Sequence, residues 1–181
     1  RHGVEVIVPK KIRCCGSLNH HLGKEDDAHQ DFINNINTWY EEHLKGNLDA
    51  ILSNTSGCGT TMKDYGFIFK DNEKMRKKAK VISDLTKDVS EYLNENLKLN
   101  FKSKEKKYKI AYHSACSMQH GQKVHNQPME LLTKTSNEIM EIPEGHICCG
   151  SAGTYNILQT EIAKELLSKK VKNIESLKPD F

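Results

Sequence analysis

The chain has 181 residues, 36% of them hydrophobic, and 27 basic against 24 acidic side chains leave a formal charge of +3. That apolar content supports one compact domain or two small lobes sharing a core, and so slight a charge gives no argument for a nucleic-acid partner. No apolar run is long enough to cross a bilayer and no signal-peptide core is present, so a reducing, cytosolic setting is expected. The opening residue is Arg1 rather than Met, which reads as a fragment or a processed piece.

In chain order, Val4–Val8 ("VEVIV") reads as a short strand running into "VPKKIRCCGSLNH" at residues 8–20. A helical pattern follows, with Phe32, Ile36, Trp39, Tyr40 and Leu44 on one face. "LDAILS", Leu48–Ser53, is a second strand leading into "NTSGCGTT". Asn72–Asn96 reads as one amphipathic helix with Met75, Ala79, Ile82, Leu85 and Val89 on its apolar face. After the lysine-rich "FKSKEKK" comes a strand, "YKIAYH", that runs into "SACSMQHGQ". Pro128 suits the first turn of a short helix. Ile139–Ile142 ("IMEI") is a further strand, and "IPEGHICCGSAGT" follows at residues 142–154. Leu158, Ile162, Leu166 and Ile174 mark the apolar face of the last helix.

The two Cys-Cys-Gly-Ser stretches each follow a proline and four further residues, and they lie 134 residues apart, from Cys14 to Cys148. Each has a strand before it and a helix after it, which is an internal duplication. The strand before Cys116 opens the second repeat, and its counterpart in the first would fall before residue 1. The strand before Cys58 closes the first repeat, and its counterpart in the second would fall after Phe181. Strands alternating with helices predict an α/β fold of parallel βαβ units. The expected modules are residues 1–101 and 108–181, with 102–107 as a Lys-rich linker.

All six cysteines (Cys14, Cys15, Cys58, Cys116, Cys148 and Cys149) sit just past the carboxyl end of a predicted strand, the edge where open α/β sheets bind ligands. A disulfide framework fits poorly. Neighbouring Cα atoms lie about 3.8 Å apart, against roughly 4.4–6.8 Å across an ordinary bridge. Structural zinc favours C-x(2–4)-C pairs and redox dithiols favour C-x-x-C, and neither spacing occurs. Iron–sulfur clusters need only soft thiolates, and adjacent cysteines can serve neighbouring irons. Gly16 and Gly150 would let backbone approach such a cluster and donate N–H groups to sulfur.

His20, His21, His113 and His120 flank these loops as possible ligands or proton relays, or as ordinary exposed histidines. Lys63, Asp64 and Tyr65 in "MKDYG" read as a partner surface or a helix start. The Lys102–Lys109 run reads as a solvated linker.

Four loops, "CCGSLNHHLG", "SNTSGCGTTMKDYG", "YHSACSMQHGQK" and "CCGSAGTYNILQ", resemble the iron–sulfur subunits of bacterial glycolate oxidase (glycolate dehydrogenase), and the similarity runs over essentially the whole chain. The double-cysteine motif is shared more widely, with the cysteine-rich subunits of heterodisulfide reductase and of anaerobic glycerol-3-phosphate dehydrogenase and with the lactate-utilisation proteins. The resemblance implies two cysteine-rich (CCG) α/β modules and an iron–sulfur cluster, 4Fe–4S in type, held by Cys14, Cys15, Cys58, Cys116, Cys148 and Cys149. It implies electron relay from FAD-containing subunits that oxidise glycolate or D-lactate to a membrane acceptor such as a quinone. The complex would then work on the inner face of the bacterial inner membrane. Substrate chemistry would belong to the flavin on the partner, so no residue here is expected to be catalytic.

The sequence departs from the family at three places. It lacks the ferredoxin-type C-x-x-C-x-x-C-x-x-x-C-P motifs of the family. The closing C-x-x-C of the first module has Thr55 in its leading position. Neither module has its full cysteine set within residues 1–181, and the second is the more complete in kind. Two other readings stay open: a thiol/iron–sulfur redox subunit of the heterodisulfide-reductase kind, and a metal-free module that docks the flavoprotein.

Overall fold

A computed structural model describes residues 2–46, 48–101, 106–135, 137–151 and 153–181, so most of the predicted linker lies outside the described residues. The chain divides into two units, 1–92 and 93–181.

Unit 1 is built on helix α2 (Glu25–Leu44), which follows a one-turn helix α1 (Ser17–His21). Glu25, Asp26 and Asp27 fill the first turn of α2, where the free N–H groups and the helix dipole favour negative charge. Phe32, Ile36 and Trp39 are buried as expected, whereas Leu44 at the helix end is exposed. They pack on Met62, Tyr65 and Phe69, from helix α3 (Ser56–Ile68) and the residue after it, and on Ala79 and Ile82 of helix α4 (Arg76–Leu85). The Phe32 and Tyr65 rings meet at 4.9 Å between centroids, tilted by 48°.

Strand β1 (Ile51–Ser53) runs parallel to β2 (Thr86–Asp88) in the register Ile51–Thr86, Leu52–Lys87, Ser53–Asp88. The predicted helix Asn72–Asn96 is therefore three elements: α4, β2 and helix α5 (Val89–Asn96). The break has a local cause. Thr86 turns its hydroxyl back onto the Ile82 carbonyl at 2.8 Å, and the Asp88 carboxylate accepts from the Ser90 N–H at 2.9 Å to start a new helix. The predicted strand Val4–Val8 is not a strand: it pairs with no described residue, and Val6 and Val8 are 76% and 79% exposed.

Unit 2 pairs β3 (Lys109–Tyr112) with β4 (Glu138–Glu141), again parallel, with Ile110 opposite Ile139. The crossover contains a π-helical turn (Ser117–Gln122) and helix α6 (Asn126–Thr133), with Pro128 in the first turn of α6. After β4 come helices α7 (Tyr155–Leu158) and α8 (Thr160–Ser176). The expected apolar face of the last helix is corrected. Leu158 and Ile162 are exposed, and the residues of α8 that are buried are Ala163 and Lys170.

Beyond α8 the chain returns to β3. The Phe181 N–H donates to the Lys109 carbonyl at 3.3 Å, and the Phe181 carbonyl accepts from the Ala111 N–H at 2.9 Å. One residue bonding on both sides of Ile110 is the pattern of a parallel ladder.

Candidate metal centre

In unit 1 the Cys-Cys loop leads into α1 through Gly16, whose φ of +74° is a left-handed conformation that suits glycine. A Cβ there would sit 2.4 Å from Cε1 of Phe32, so the aromatic core also requires glycine at this position. Asn35 on α2 is completely buried and clamps the loop. Its Oδ1 accepts from the Arg13 N–H at 2.8 Å, and its Nδ2 donates to the Cys14 carbonyl at 2.8 Å and the Arg13 carbonyl at 3.3 Å. Tyr65 donates its hydroxyl to the Cys15 carbonyl at 2.8 Å. Burial holds that phenol well above its usual range, so it stays protonated and a donor. Tyr65 is thus a core residue in the third turn of α3 rather than a partner surface or a helix start. Lys63 pairs with Glu91, and Asp64 is exposed.

Cys58 reaches the same place from the end of β1. Ser53 at the end of β1 donates its hydroxyl to the Thr55 carbonyl at 3.0 Å, and α3 starts at Ser56, so Cys58 falls in its first turn. There the Cys15 and Cys58 sulfurs lie 2.9 Å apart with the Cys15 thiol donating, while Cys14 is exposed. Burial pushes the Cys15 thiol up to about 12, the hydrogen bond to Cys58 adds to this, and the Ser17 backbone N–H works against it. Without metal, Cys15 therefore keeps its proton at neutral pH. A thiophilic metal would have to displace it, which couples binding to proton release.

In unit 2, Gly150 has φ +83°, and a Cβ there would lie 2.4 Å from the Ala163 carbonyl oxygen. The Gly150 N–H donates to the Cys148 sulfur at 3.3 Å. Lys170 on α8 is 4% exposed and donates to the Glu144 and Gly145 carbonyls, both at 3.2 Å. Asn173 donates to the Pro143 carbonyl at 2.8 Å. Cys148 and Cys149 are half-buried, and Cys116, four residues past β3, is exposed. Burial, and then the Lys170 charge, hold His113 below the usual imidazole range, so it is neutral at pH 7.

The sulfurs of Cys15 and Cys58 are thus brought into contact. Among the described residues, no three His, Cys, Asp or Glu side chains are gathered as ligands of one metal ion. The donors suit soft iron, and each unit has three thiols where an all-cysteine cluster takes four. Asn35 and Lys170 were not singled out in the sequence. The available signal is their common place on the helix after each Cys-Cys loop, 22 and 25 residues from the carbonyls they bind.

The cysteine-rich domain known as CCG matches residues 1–63 and again residues 110–181. The chain belongs to that family. Its α/β units with short parallel strand pairs carry the two halves of the repeat. Over its whole length the CCG chain is 32% identical to the glycolate oxidase iron-sulfur subunit of Escherichia coli K12, of which it spans 44%. It is 25% identical to lactate utilization protein A of Geobacillus sp. WCH70, spanning 74% of that protein. A probable glycolate oxidase iron-sulfur subunit of Bacillus subtilis is 27% identical over 96% of the chain, which spans 39% of that relative. No helix among the described residues is long and apolar enough to cross a membrane.

Proposed function

We propose that the chain is the cysteine-rich part of an iron–sulfur electron-transfer subunit in a complex that oxidises glycolate or D-lactate. The carrying observation is the pair of Cys-Cys-Gly loops, each fixed through backbone carbonyls by a buried side chain of the following helix while its thiols stay free. A loop whose backbone is clamped presents sulfur without spending the thiols on structure. The names of the relatives support the same role.

An iron–sulfur cluster, 4Fe–4S in type, would be held by Cys14, Cys15 and Cys58 in one unit and by Cys116, Cys148 and Cys149 in the other, each set with a further ligand. When bound it supplies one-electron acceptance and donation. This chain's residues set the terms. Asn35 and Tyr65 orient the Cys14–Cys15 backbone, the Gly150 N–H bonds to Cys148 sulfur, and the Lys170 cation lies under the second loop. Hydrogen bonds to sulfur and nearby positive charge raise a cluster's potential. Electrons would arrive from an FAD-bearing subunit and leave to a membrane acceptor such as a quinone, with the complex peripheral to the inner face of the membrane. No side chain here acts on glycolate.

The full-length protein, assembled with its flavoprotein partner, tests this through glycolate-driven quinone reduction. Cys148→Ser together with Cys149→Ser should leave flavin reduction by glycolate intact and abolish quinone reduction. Unchanged quinone reduction would overturn the reading. The 2.9 Å contact between Cys15 and Cys58 supports a second reading, a thiol redox subunit of the heterodisulfide-reductase kind. It predicts turnover of a heterodisulfide that stops in Cys15→Ser.

A further inference from the structure

Cys58, Thr61 and Tyr65 stand at i, i+3 and i+7 on α3 and so share one face of that helix. All three reach the Cys-Cys loop of unit 1. Tyr65 holds the Cys15 carbonyl, Thr61 donates its hydroxyl to the Ser17 hydroxyl at 2.9 Å, and the Cys58 sulfur meets that of Cys15. Asn35 fixes the same loop from α2 through the Cys14 carbonyl. The fold therefore holds in contact two sulfurs that are 43 residues apart in sequence. Sulfurs in a disulfide are about 2.0 Å apart, so closing one from 2.9 Å asks for a movement of about 0.9 Å. The vicinal pair Cys14–Cys15 has the strained Cα spacing instead. Among the described residues no hydrogen bond joins the sulfurs of Cys116, Cys148 and Cys149. Cys15 and Cys58 are half-buried and line a cavity of about 610 Å³, which gives a small oxidant access to them.

We propose that Cys15 and Cys58 form a reversible oxidation site, closing a disulfide when no metal holds their sulfurs. The oxidant is a low-molecular-weight disulfide, RSSR, and the exchange passes through a mixed disulfide. Cys15 donates its proton in the contact, so Cys58 is the sulfur that attacks. The Cys58 thiol gives up its proton and its sulfur bonds to one sulfur of RSSR. The S–S bond of RSSR breaks, and RS⁻ leaves with that proton as RSH. The Cys15 sulfur then attacks the Cys58 sulfur, and the second RS⁻ leaves with the Cys15 proton. Two protein thiols are oxidised to one disulfide, and RSSR is reduced to two RSH. Excess RSH runs the exchange backwards and reopens the site. The bridge takes two sulfurs from the set Cys14, Cys15 and Cys58, so iron enters this loop only after reduction. That block rests on the iron–sulfur reading; the bridge does not, and as a single modification it is distinct from turnover of a heterodisulfide.

The test uses the full-length protein, in one sample stripped of iron by a chelator under reducing conditions and in a second that keeps its iron. Both are freed of reductant anaerobically, incubated with oxidised glutathione, alkylated with N-ethylmaleimide and digested for mass spectrometry. The stripped sample should give peptides joined through Cys15 and Cys58, at least about tenfold more abundant than any bridge among Cys116, Cys148 and Cys149, because sulfurs held in contact react as one molecule. Dithiothreitol should return both thiols and restore iron uptake. Cys15→Ser should trap glutathione on Cys58. Both thiols alkylated in a stripped protein that circular dichroism shows to be folded would overturn the proposal, as would a bridge from either to Cys14. The iron-bearing sample should show no bridge. A bridge of equal yield there would keep the oxidation site and overturn the iron–sulfur reading of unit 1.

Discussion

In unit 1 the Cys-Cys loop rests on Asn35, a neutral amide in an aromatic core formed with Phe32, Tyr65 and Phe69. In unit 2 the corresponding place on the following helix is Lys170, a buried cation beneath Glu144 and Gly145, and the buried apolar residues described in that unit are Val124, Ile142 and Ala163. Cys15 and Cys58 are among the residues that line a cavity of unit 1, whereas one of unit 2, about 320 Å³, is lined by His113, His125 and His146 and by no cysteine. One sequence motif is therefore held by two chemistries. What the repeats share is the demand that a helix side chain satisfy the loop's carbonyls; the charge that does it is free to differ. Under the proposed function, a cation beneath one loop and none from Asn35 beneath the other would set the two sulfur sites at different potentials, the second easier to reduce.

The sharpest way to break the comparison is at the glycines. Ala at Gly16 strikes the Phe32 ring and Ala at Gly150 strikes the Ala163 backbone, both at positive φ. Each should cost about 2–4 kcal/mol, and Gly150→Ala should be the harder to relieve because backbone cannot rotate aside. Urea unfolding of the reduced protein measures both. Next come the clamps. Asn35→Leu leaves the Arg13 N–H and two carbonyls without their partner and should cost about 2–3 kcal/mol. Lys170→Met loses two carbonyl bonds but also removes a buried charge, so its cost should be lower, about 1–2 kcal/mol. Equal losses would erase the distinction drawn between the units. Tyr65→Phe removes one hydrogen bond to the Cys15 carbonyl and keeps the ring, for about 1 kcal/mol.

The smallest effect is one of pH. In the metal-free protein the Cys15 thiol is raised from its ordinary 9.0 to about 12. The unfolded chain then loses this proton first as pH rises. Stability from this group is complete below pH 9 and declines from there toward 12, by less than the about 1.4 kcal/mol per pH unit of a fully buried group, because solvent screens this half-exposed thiol. Cys15→Ala should flatten that slope in unfolding measured between pH 8 and 10.

Much of this arrangement could be read in the chain. The vicinal cysteines, the strands at β1, β3 and β4, the parallel pairing and the face of α2 through Trp39 all follow from periodicity and repeat spacing. Two features escaped for physical reasons. The apolar period of Met75, Ala79, Ile82, Leu85 and Val89 continues straight across β2, and a three-residue strand is too short to interrupt it. On α8 the loop glycine requires a small neighbour, so Ala163 turns inward with Lys170, and Ile162 is left outside. A lysine reads as surface until the carbonyls it serves are seen. Val4–Val8 is the instructive case: its alternation reads as a strand, yet no described residue pairs with it and Val6 and Val8 stay exposed.

The central claim, that these loops carry iron, is tested most directly by iron and acid-labile sulfide per chain, with an EPR spectrum, on anaerobically purified full-length protein. Cys14→Ser with Cys15→Ser, and separately Cys148→Ser with Cys149→Ser, should each remove a distinct share of iron and sulfide together with its EPR signal. Iron, sulfide and spectrum unchanged in both double variants of a folded protein would contradict it.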